Sequence, residues 1–277
     1  MDIKVTKASG IVEDLNLNKL FSSLVKSGAD REQAQDIIDI IVSEIKPYTS
    51  TKKIYRLAHK YLRQFNHASG LRYSLKMAIF RLGPSGYPFE KYLGALLENY
   101  GYKVKVGVTM DGKCVKHEVD VLAINENEVT LFECKYRNRS GNTTDVKVAM
   151  YVRSRFQDIR PVIKSQYPGK SFRGWLITNT SFTSDAIRYA ECTGLNIKSW
   201  GYPDKKSLKE MIEEKRLYPV TIISGIKSGL IDSLINRNII LLKDLAGMDA
   251  GEIGKMLSLS ENKASALKKQ ADELCLC

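Results

Sequence analysis

Two carboxylates and an amine in the middle of the chain have the spacing of a hydrolytic site. Asp120 is followed after a gap of twelve residues by Glu133, and Lys135 comes two residues later. The strong turn signal between the acids is Asn125-Glu126-Asn127-Glu128, which predicts a hairpin about residues 126 and 127 with Asp120 facing Glu133. Because side chains alternate along a strand, Glu133 and Lys135 share one face.

This arrangement of charges favours a divalent cation. Two carboxylates a few ångströms apart repel each other and raise a pKa, unless a cation of the Mg²⁺ type, which prefers oxygen ligands, neutralises them. Such a cation can polarise a phosphodiester and lower the pKa of a bound water, while Lys135 orients that water or stabilises charge on the phosphate. The predicted chemistry is hydrolysis, and the alternative is an ordinary surface ion pair on a hairpin.

The segments around these residues alternate between helix and strand patterns, which predicts an α/β sandwich. The helical patterns cover residues 89–100 and 146–156, and the extended patterns cover residues 102–108, 119–124, 129–136 and 174–178. Glycine- and proline-rich stretches at 83–88 and 201–205 predict the two domain boundaries. We therefore expect domains at 1–83, 84–203 and 204–277.

The middle segment resembles the Mrr-type restriction endonucleases, which have the PD-(D/E)xK nuclease fold. The resemblance covers about residues 84–200 and rests on Asp120 with Glu133-Cys134-Lys135, on Phe89-Glu90 opening a helix, on Gly101-Tyr102, and on the run from Ile177 to Thr183. It implies that Asp120 and Glu133 bind Mg²⁺ or Mn²⁺, that Lys135 positions the attacking water, and that Glu90 is an accessory acid. Basic runs at 135–139 and 153–155 could contact DNA phosphates beside this site.

The first segment is predicted to be a β-hairpin followed by four helices. Ile3-Lys4-Val5 and Ile11-Val12-Glu13 flank a turn at Ser9-Gly10, and apolar residues at helical spacing follow. Asp30 with Gln33, Thr51 and Ser69 are the expected helix starts.

This segment resembles the ATP-cone, a regulatory nucleotide-binding domain, over about residues 2–83. The residues that carry the resemblance are Val5-Thr6-Lys7 and Gly10 in the hairpin, Glu13, Asn16 to Leu20, and Ser50-Thr51. It implies that ATP or dATP binds here, with Lys7 and Lys19 on the phosphates and Glu13, Asn16 and Thr51 on the nucleoside.

The last segment is predicted to be all-helical. Asp249 and Glu252 form a capping box, and Ser260 can begin a helix with Ala264, Leu267, Ala271 and Leu274 on one face. The pair of helices joined by residues 257–259 resembles a helix-hairpin-helix module, which implies DNA-backbone binding, with protein association as the alternative.

Composition narrows the class of protein. The net charge of +12 and the pI of about 9.3 favour a polyanionic partner such as duplex DNA. Three histidines and five scattered cysteines without a Cys-x-x-Cys pair make a structural zinc site improbable. Without a membrane-length apolar run or a signal-peptide pattern, we expect a cytoplasmic protein with no membrane partner.

These observations lead to one hypothesis and two alternatives. The hypothesis is a metal-dependent DNA endonuclease controlled by ATP or dATP, in restriction or defence, and forming a homodimer or higher oligomer because paired cuts in a duplex need two active sites. The first alternative is a nucleotide-sensing DNA-binding regulator with a catalytically silent nuclease fold. The second is a structure-selective repair nuclease, or one acting on RNA.

Overall fold

The computed structural model describes residues 3–7, 9–139 and 141–275, which form two compact units. Unit 1 combines the N-terminal residues up to Ala78 with Thr221–Lys227 and the residues from Leu245 onward. Unit 2 combines Ile79–Val220 with Ser228–Asp244. The division into domains 1–83, 84–203 and 204–277 describes modules along the chain, and it stays a prediction.

Unit 1 begins with the predicted β-hairpin. Strands β1 (Lys4–Thr6) and β2 (Val12–Asp14) pair antiparallel, and Gly10 takes a φ of 84° in the connecting turn. A third strand, β3 (Thr49–Ser50), pairs parallel to β1. This strand was not predicted, because two residues are too short to show an alternating pattern.

The helices after the hairpin correct the prediction of four. They are α1 (Leu17–Lys26), α2 (Arg31–Glu44), α3 (Thr51–Phe65), α4 (His67–Tyr73) and α5 (Leu75–Phe80). The helix expected to begin at Ser69 begins instead after the cap Asn66, and it is divided at Ser74. There the Ser74 hydroxyl donates to the Leu71 carbonyl at 2.8 Å, a local bond that competes with the helical ladder.

Helix caps in this unit follow the sequence closely. Asp30 and Gln33 form the predicted capping box at the start of α2. The cap of α3 is Ser50 rather than Thr51, because the Ser50 hydroxyl accepts the hydrogen bond of the Lys53 N–H. Thr51 is therefore the first residue of the helix.

Unit 2 is built on a five-stranded sheet in the order β10-β8-β6-β5-β4. Strands β4, β5 and β6 are antiparallel, whereas β6, β8 and β10 are parallel. Two further short strands, β7 and β9, pair with each other. The bounds are β4 (Lys103–Asp111), β5 (Lys116–Ile124), β6 (Glu128–Lys135), β7 (Thr143–Thr144), β8 (Ser171–Thr178), β9 (Ser181–Phe182) and β10 (Asn196–Lys198).

The helices of the middle segment are α6 (Tyr87–Asn99), α7 (Val146–Gln166) and α8 (Ser184–Thr193). The predicted helix over 146–156 continues for ten further residues through Pro161. Burial of Ile159 and Ile163 offsets the hydrogen bond that proline cannot donate. The sheet and helices give a mixed α and β domain, consistent with the predicted sandwich.

The described residues from 204 to 275 form helices and no strand, as predicted. They are α9 (Leu208–Glu214), α10 (Ser228–Asn236), α11 (Leu242–Ala246), α12 (Ala250–Leu257) and α13 (Glu261–Cys275). Asp249 and Glu252 form the predicted capping box, and Ser258 takes a φ of 51° between α12 and α13. Among the described residues, no helix has the length and apolar character needed to cross a membrane.

Candidate active site

The predicted hairpin between Asp120 and Glu133 is confirmed. Strands β5 and β6 pair antiparallel from Val121 opposite Phe132 to Ile124 opposite Val129. The Asn125 side chain accepts the backbone N–H groups of Asn127 and Glu128 and so fixes the turn. The register therefore brings Asp120 opposite Glu133, one pair beyond the end of the ladder.

The sheet opens on both sides of Asp120. On the β4 side, Val106 pairs with Val121 and Val108 pairs with Val119, while the intervening Gly107 has a φ of 65°. On the β6 side, Oδ2 of Asp120 accepts the N–H of Cys134 at 2.6 Å. The carboxylate thus replaces a main-chain acceptor where the two strands separate, which fixes the Asp120 side chain between them.

Glu133 is buried and has cationic partners on both carboxylate oxygens. Its exposed fraction is 2%. Lys135 Nζ lies 2.6 Å from Oε1, and Nη1 of Arg155 contacts Oε2. A buried carboxylate needs such partners to stay charged, so this pairing explains how Glu133 is accommodated.

Arg155 extends from α7 and was expected from the sequence to contact phosphates. Its guanidinium contacts Glu133, donates to the Glu118 carbonyl at 3.0 Å, and lies 4.7 Å from the centroid of the Tyr151 ring. The phosphate contact stays a prediction. The Nε atom of Arg155 is buried and has no hydrogen-bond partner among the described residues. No sequence pattern indicates this pairing, because Arg155 lies 22 residues after Glu133 and their contact depends on how α7 packs on the sheet.

Glu90 lies in the first turn of α6 and shares the electrostatic environment of Asp120 and Glu133. Burial raises the pKa of Glu90 to about 7, and the charges of Asp120, Glu118 and Glu133 add to the effect. Burial also raises the pKa of Asp120 to about 6, with Glu133 adding to it. The predicted mutual repulsion is therefore present, and the neighbouring cations offset only part of it.

The residues present suit a divalent cation of the Mg²⁺ type. Asp120 and Glu133 offer oxygen atoms, and burial together with the neighbouring carboxylates disfavours the ionised forms of Asp120 and Glu90, which a cation would favour. Within residues 3–7, 9–139 and 141–275, no cluster of three or more His, Cys, Asp or Glu side chains forms a complete ligand set. Mg²⁺ commonly uses one or two carboxylates together with water and substrate phosphate, so two carboxylates are sufficient.

The end of β6 is fixed by residues from the Ile177–Thr183 run. The Thr178 hydroxyl donates to the Lys135 carbonyl at 2.7 Å. The buried Asn179 amide exchanges two hydrogen bonds of 2.8 Å with the main chain of Arg137. These contacts determine where the strand carrying Lys135 ends, a positioning role that the sequence pattern did not reveal.

The residues expected to bind a nucleotide lie in unit 1 in two groups. Lys7 forms an ion pair of 2.6 Å with Glu13, and the pairing of Thr6 with Ser50 brings Lys7 towards Thr51 at the start of α3. The second group is Asn16, which caps α1 by accepting the Lys19 N–H, together with Lys19 itself. It lies at the other end of β1, about 10 Å from the first group along this three-residue strand. Their role as a binding site stays a prediction.

Two parts of the chain match known protein families. Residues 83–212 match the family Mrr_cat, described as restriction endonuclease, and residues 218–275 match the family described as AF1548-like, C-terminal. An uncharacterized protein of Archaeoglobus fulgidus is 31% identical over 182 residues, which are 66% of this chain and 99% of that protein.

Two solved structures are similar to this chain. The crystal structure of AF1548, a protein of unknown function, is 31% identical, covers 69% of this chain and 98% of that chain, and gives a TM-score of 0.57. The DNA modification-dependent restriction endonuclease AspBHI is 14% identical over 61% of this chain and 39% of that chain, and its TM-score of 0.33 supports no comparison of folds. From its identity to a relative that it covers almost completely, and from both matched families, the chain belongs to the AF1548-like family and contains a restriction-endonuclease-like domain.

Proposed function

We propose that this protein is a metal-dependent DNA endonuclease with Glu90, Asp120, Glu133 and Lys135 in its active site. The observation that supports the proposal is the group of mutually repelling carboxylates where β5 and β6 separate, beside an ammonium two residues further along β6. This group lies inside residues 83–212, which match the restriction endonuclease family. DNA duplex is the expected substrate, in keeping with the net charge of +12.

Each side chain has a role that follows from its surroundings. Asp120 and Glu133 would hold Mg²⁺ or Mn²⁺. When bound, such a cation polarises a phosphodiester and lowers the pKa of water. Lys135 keeps its ammonium beside Glu133, where it can orient a water molecule or stabilise charge developing on the phosphate. Glu90, with a pKa of about 7, can carry a proton near neutral pH and is suited to an acid role.

Arg155 has a second role in the same proposal. Because it occupies Oε2 of Glu133, a cation bound by that oxygen must compete with the guanidinium. A displaced Arg155 remains beside the site and can bind a DNA phosphate. The exchange would couple loading of the cation to binding of the substrate.

Cleavage of supercoiled plasmid with Mg²⁺ or Mn²⁺ tests the proposal. We expect the Asp120→Ala and Lys135→Ala variants to lose about 10²-fold or more in rate, the cost of removing one group that stabilises transition-state charge. Lys116→Ala removes an exposed lysine of β5 that pairs with Asp111 and serves as the matched control. Full cleavage by either site variant would exclude this active site.

The N-terminal residues would supply control by ATP or dATP through Lys7, Glu13, Asn16, Lys19 and Thr51. Support comes from the resemblance to the ATP-cone and from a lysine near the N-terminus of α1, where helix dipole and amides favour anions. Calorimetric titration of both nucleotides should give weaker binding to Lys19→Ala than to the wild type. Lys26→Ala, at the other end of α1, is the control; equal binding by all three proteins, or none, would remove the assigned site.

The helices near the C-terminus would complete the assembly as a helix-hairpin-helix-like module that contacts DNA or another protein chain. A homodimer, or a higher oligomer, would supply the two active sites that a double-strand cut needs. Light scattering with and without duplex DNA distinguishes these roles. DNA-independent association would favour the protein contact, and association only with DNA would favour backbone binding.

A catalytically silent regulator that senses a nucleotide and binds DNA is the second candidate. The observation that favours it is that both oxygens of Glu133 already contact cations of the chain itself. Calorimetric titration with Mn²⁺ separates the two candidates. Binding that is lost in Asp120→Ala supports the nuclease, whereas DNA binding without Mn²⁺ binding or cleavage supports the regulator. A panel of methylated, branched, single-stranded and RNA substrates then tests a restriction role against a structure-selective repair role.

A further inference from the structure

A cavity of about 370 Å³ opens in unit 2 on the face of the sheet opposite Glu133. Phe132 and Trp175 contribute to its wall; they are partners in the β6–β8 register, and Phe132 points away from the face that carries Glu133. The volume lies within the range of about 300–1,000 Å³ that is common for small-ligand sites. We propose that this cavity binds a nucleoside phosphate, with the base against Trp175 and the phosphate at Lys198, Lys205 and Lys206.

The wall of the cavity can stack a planar ring. The Phe132 and Trp175 rings lie 6.5 Å apart, 17° from parallel, and Tyr100 and Tyr102 also line the cavity. The two tyrosine hydroxyls bond to Glu214 and Glu128, which fixes the positions of their rings. Nucleobases stack on such aromatic side chains irrespective of sequence, so the wall selects a base rather than an aliphatic group.

The acidic residues of the cavity are engaged by the protein. Glu128 pairs with Arg173 at 2.9 Å and accepts the Tyr102 hydroxyl at 2.6 Å. Glu210 accepts the N–H and the hydroxyl of Ser207, both at 2.9 Å, in the capping box of α9. The lining has four basic side chains, Arg173, Lys198, Lys205 and Lys206, against the three acids Glu128, Glu210 and Glu214. The excess of one positive charge favours an anionic ligand.

Three lysines form the basic side of the cavity. Lys198 Nζ lies 5.5 Å from the centroid of the Trp175 ring and donates to the Lys206 carbonyl. Burial lowers the pKa of this ammonium, while the charge of Glu210 opposes the effect and the charge of Lys206 adds to it. Lys205 and Lys206 are exposed and form no ion pair within the described ranges of the chain. An anion beside these lysines would relieve the repulsion between Lys198 and Lys206, as phosphate does in lysine-containing sites.

A base joined to a phosphate has two sources, a free nucleotide and an unpaired nucleotide of a DNA strand. Both offer the same ring and charge, and they differ only in the strand that continues from the phosphate. The proposal does not depend on catalysis, because the side chains that line the cavity do not include Glu90, Asp120, Glu133 or Lys135. It is also separate from the expected N-terminal nucleotide site, whose residues belong to unit 1.

Fluorescence of Trp175 tests the cavity directly in the full-length chain. The chain has two tryptophans, so Trp200→Phe leaves Trp175 as the single reporter. We expect quenching on titration with dAMP, with a single-stranded oligonucleotide, or with both, and these two arms identify the source. Adding Lys206→Gln should weaken binding roughly tenfold, the value of one charge-assisted contact. Lys164→Gln, on the exposed side of α7, is the matched control.

Three results would overturn the proposal. They are the absence of quenching with either probe, quenching unaffected by Lys206→Gln, and quenching abolished by Lys19→Ala, which would trace the signal to unit 1. Should Trp200→Phe fail to fold, photo-crosslinking of azido-dAMP to the unaltered protein replaces it. Adducts within 97–102, 128–132, 173–177 or 198–214, the segments that line the cavity, support the proposal, and adducts confined to other segments reject it. Quenching retained in Asp120→Asn would show that binding in the cavity does not require the proposed nuclease site.

Discussion

Replacing Asp120 with asparagine should stabilise the metal-free protein while removing its activity. The pKa of Asp120 rises from its ordinary 3.8 to about 6, chiefly because of burial and then because of Glu133. Each pKa unit corresponds to about 1.4 kcal/mol, so ionising this carboxyl costs the folded state about 3 kcal/mol. Because the side chain is partly exposed, solvent screening reduces the expected gain in Asp120→Asn to about 1–3 kcal/mol.

The gain in the free energy of unfolding of Asp120→Asn over the wild type must increase with pH. The folded state holds the Asp120 proton more tightly than the unfolded state, so this contribution to stability is complete below the unfolded pKa of 3.8 and is lost as the pH rises through about 6. Asparagine does not titrate. The difference between the variant and the wild type should therefore be small in acid and reach its full value in mild alkali.

Urea unfolding followed by tryptophan fluorescence measures this difference. Both reporters, Trp175 and Trp200, lie in unit 2 together with Asp120, so the signal reports the relevant unit. The titrations are run with a chelator and repeated with Mn²⁺, which should stabilise the wild type more than the variant. Asp111→Asn, at an exposed carboxylate of β4, should change stability by less than about 0.5 kcal/mol. A neutral or destabilising Asp120→Asn in alkali, or a gain independent of pH, would refute the repelling-carboxylate reasoning.

Three further predictions address neighbouring features. Arg155→Ala should bind Mn²⁺ more tightly in DNA-free calorimetry, because the competitor for Glu133 is gone, and should cleave DNA more slowly; unchanged Mn²⁺ affinity would contradict the competition. Gly107→Ala should cost about 1 kcal/mol or more in urea unfolding, because its φ of 65° disfavours a side chain, and an unchanged midpoint would argue against that backbone conformation. Asn179→Ala leaves the main chain of Arg137 without two bonds and should cost about 1–3 kcal/mol and lower kcat more than it raises KM; equal stability would remove the positioning role.

The sequence alone determined the local geometry of the candidate site. The turn at Asn125–Glu128 and the two-residue alternation of strands were sufficient to bring Asp120 opposite Glu133 and Lys135 beside Glu133. The capping boxes at Asp30 and Asp249 were equally readable. All of these features depend on hydrogen bonds and side-chain directions that are set within a few residues. The order of residue types is therefore sufficient to predict them.

Only the tertiary structure decided which distant groups meet. The contact between Arg155 and Glu133, the position of Gly107 where the sheet opens at Asp120, and the aromatic wall formed by Phe132 and Trp175 all join separate elements. Likewise, the two-residue strand β3 and the helices after Leu245 belong to unit 1 with the N-terminal residues, and no local sequence pattern predicts this grouping. Such contacts depend on how whole helices and strands pack, and packing is a property of the complete set of buried side chains rather than of any short segment.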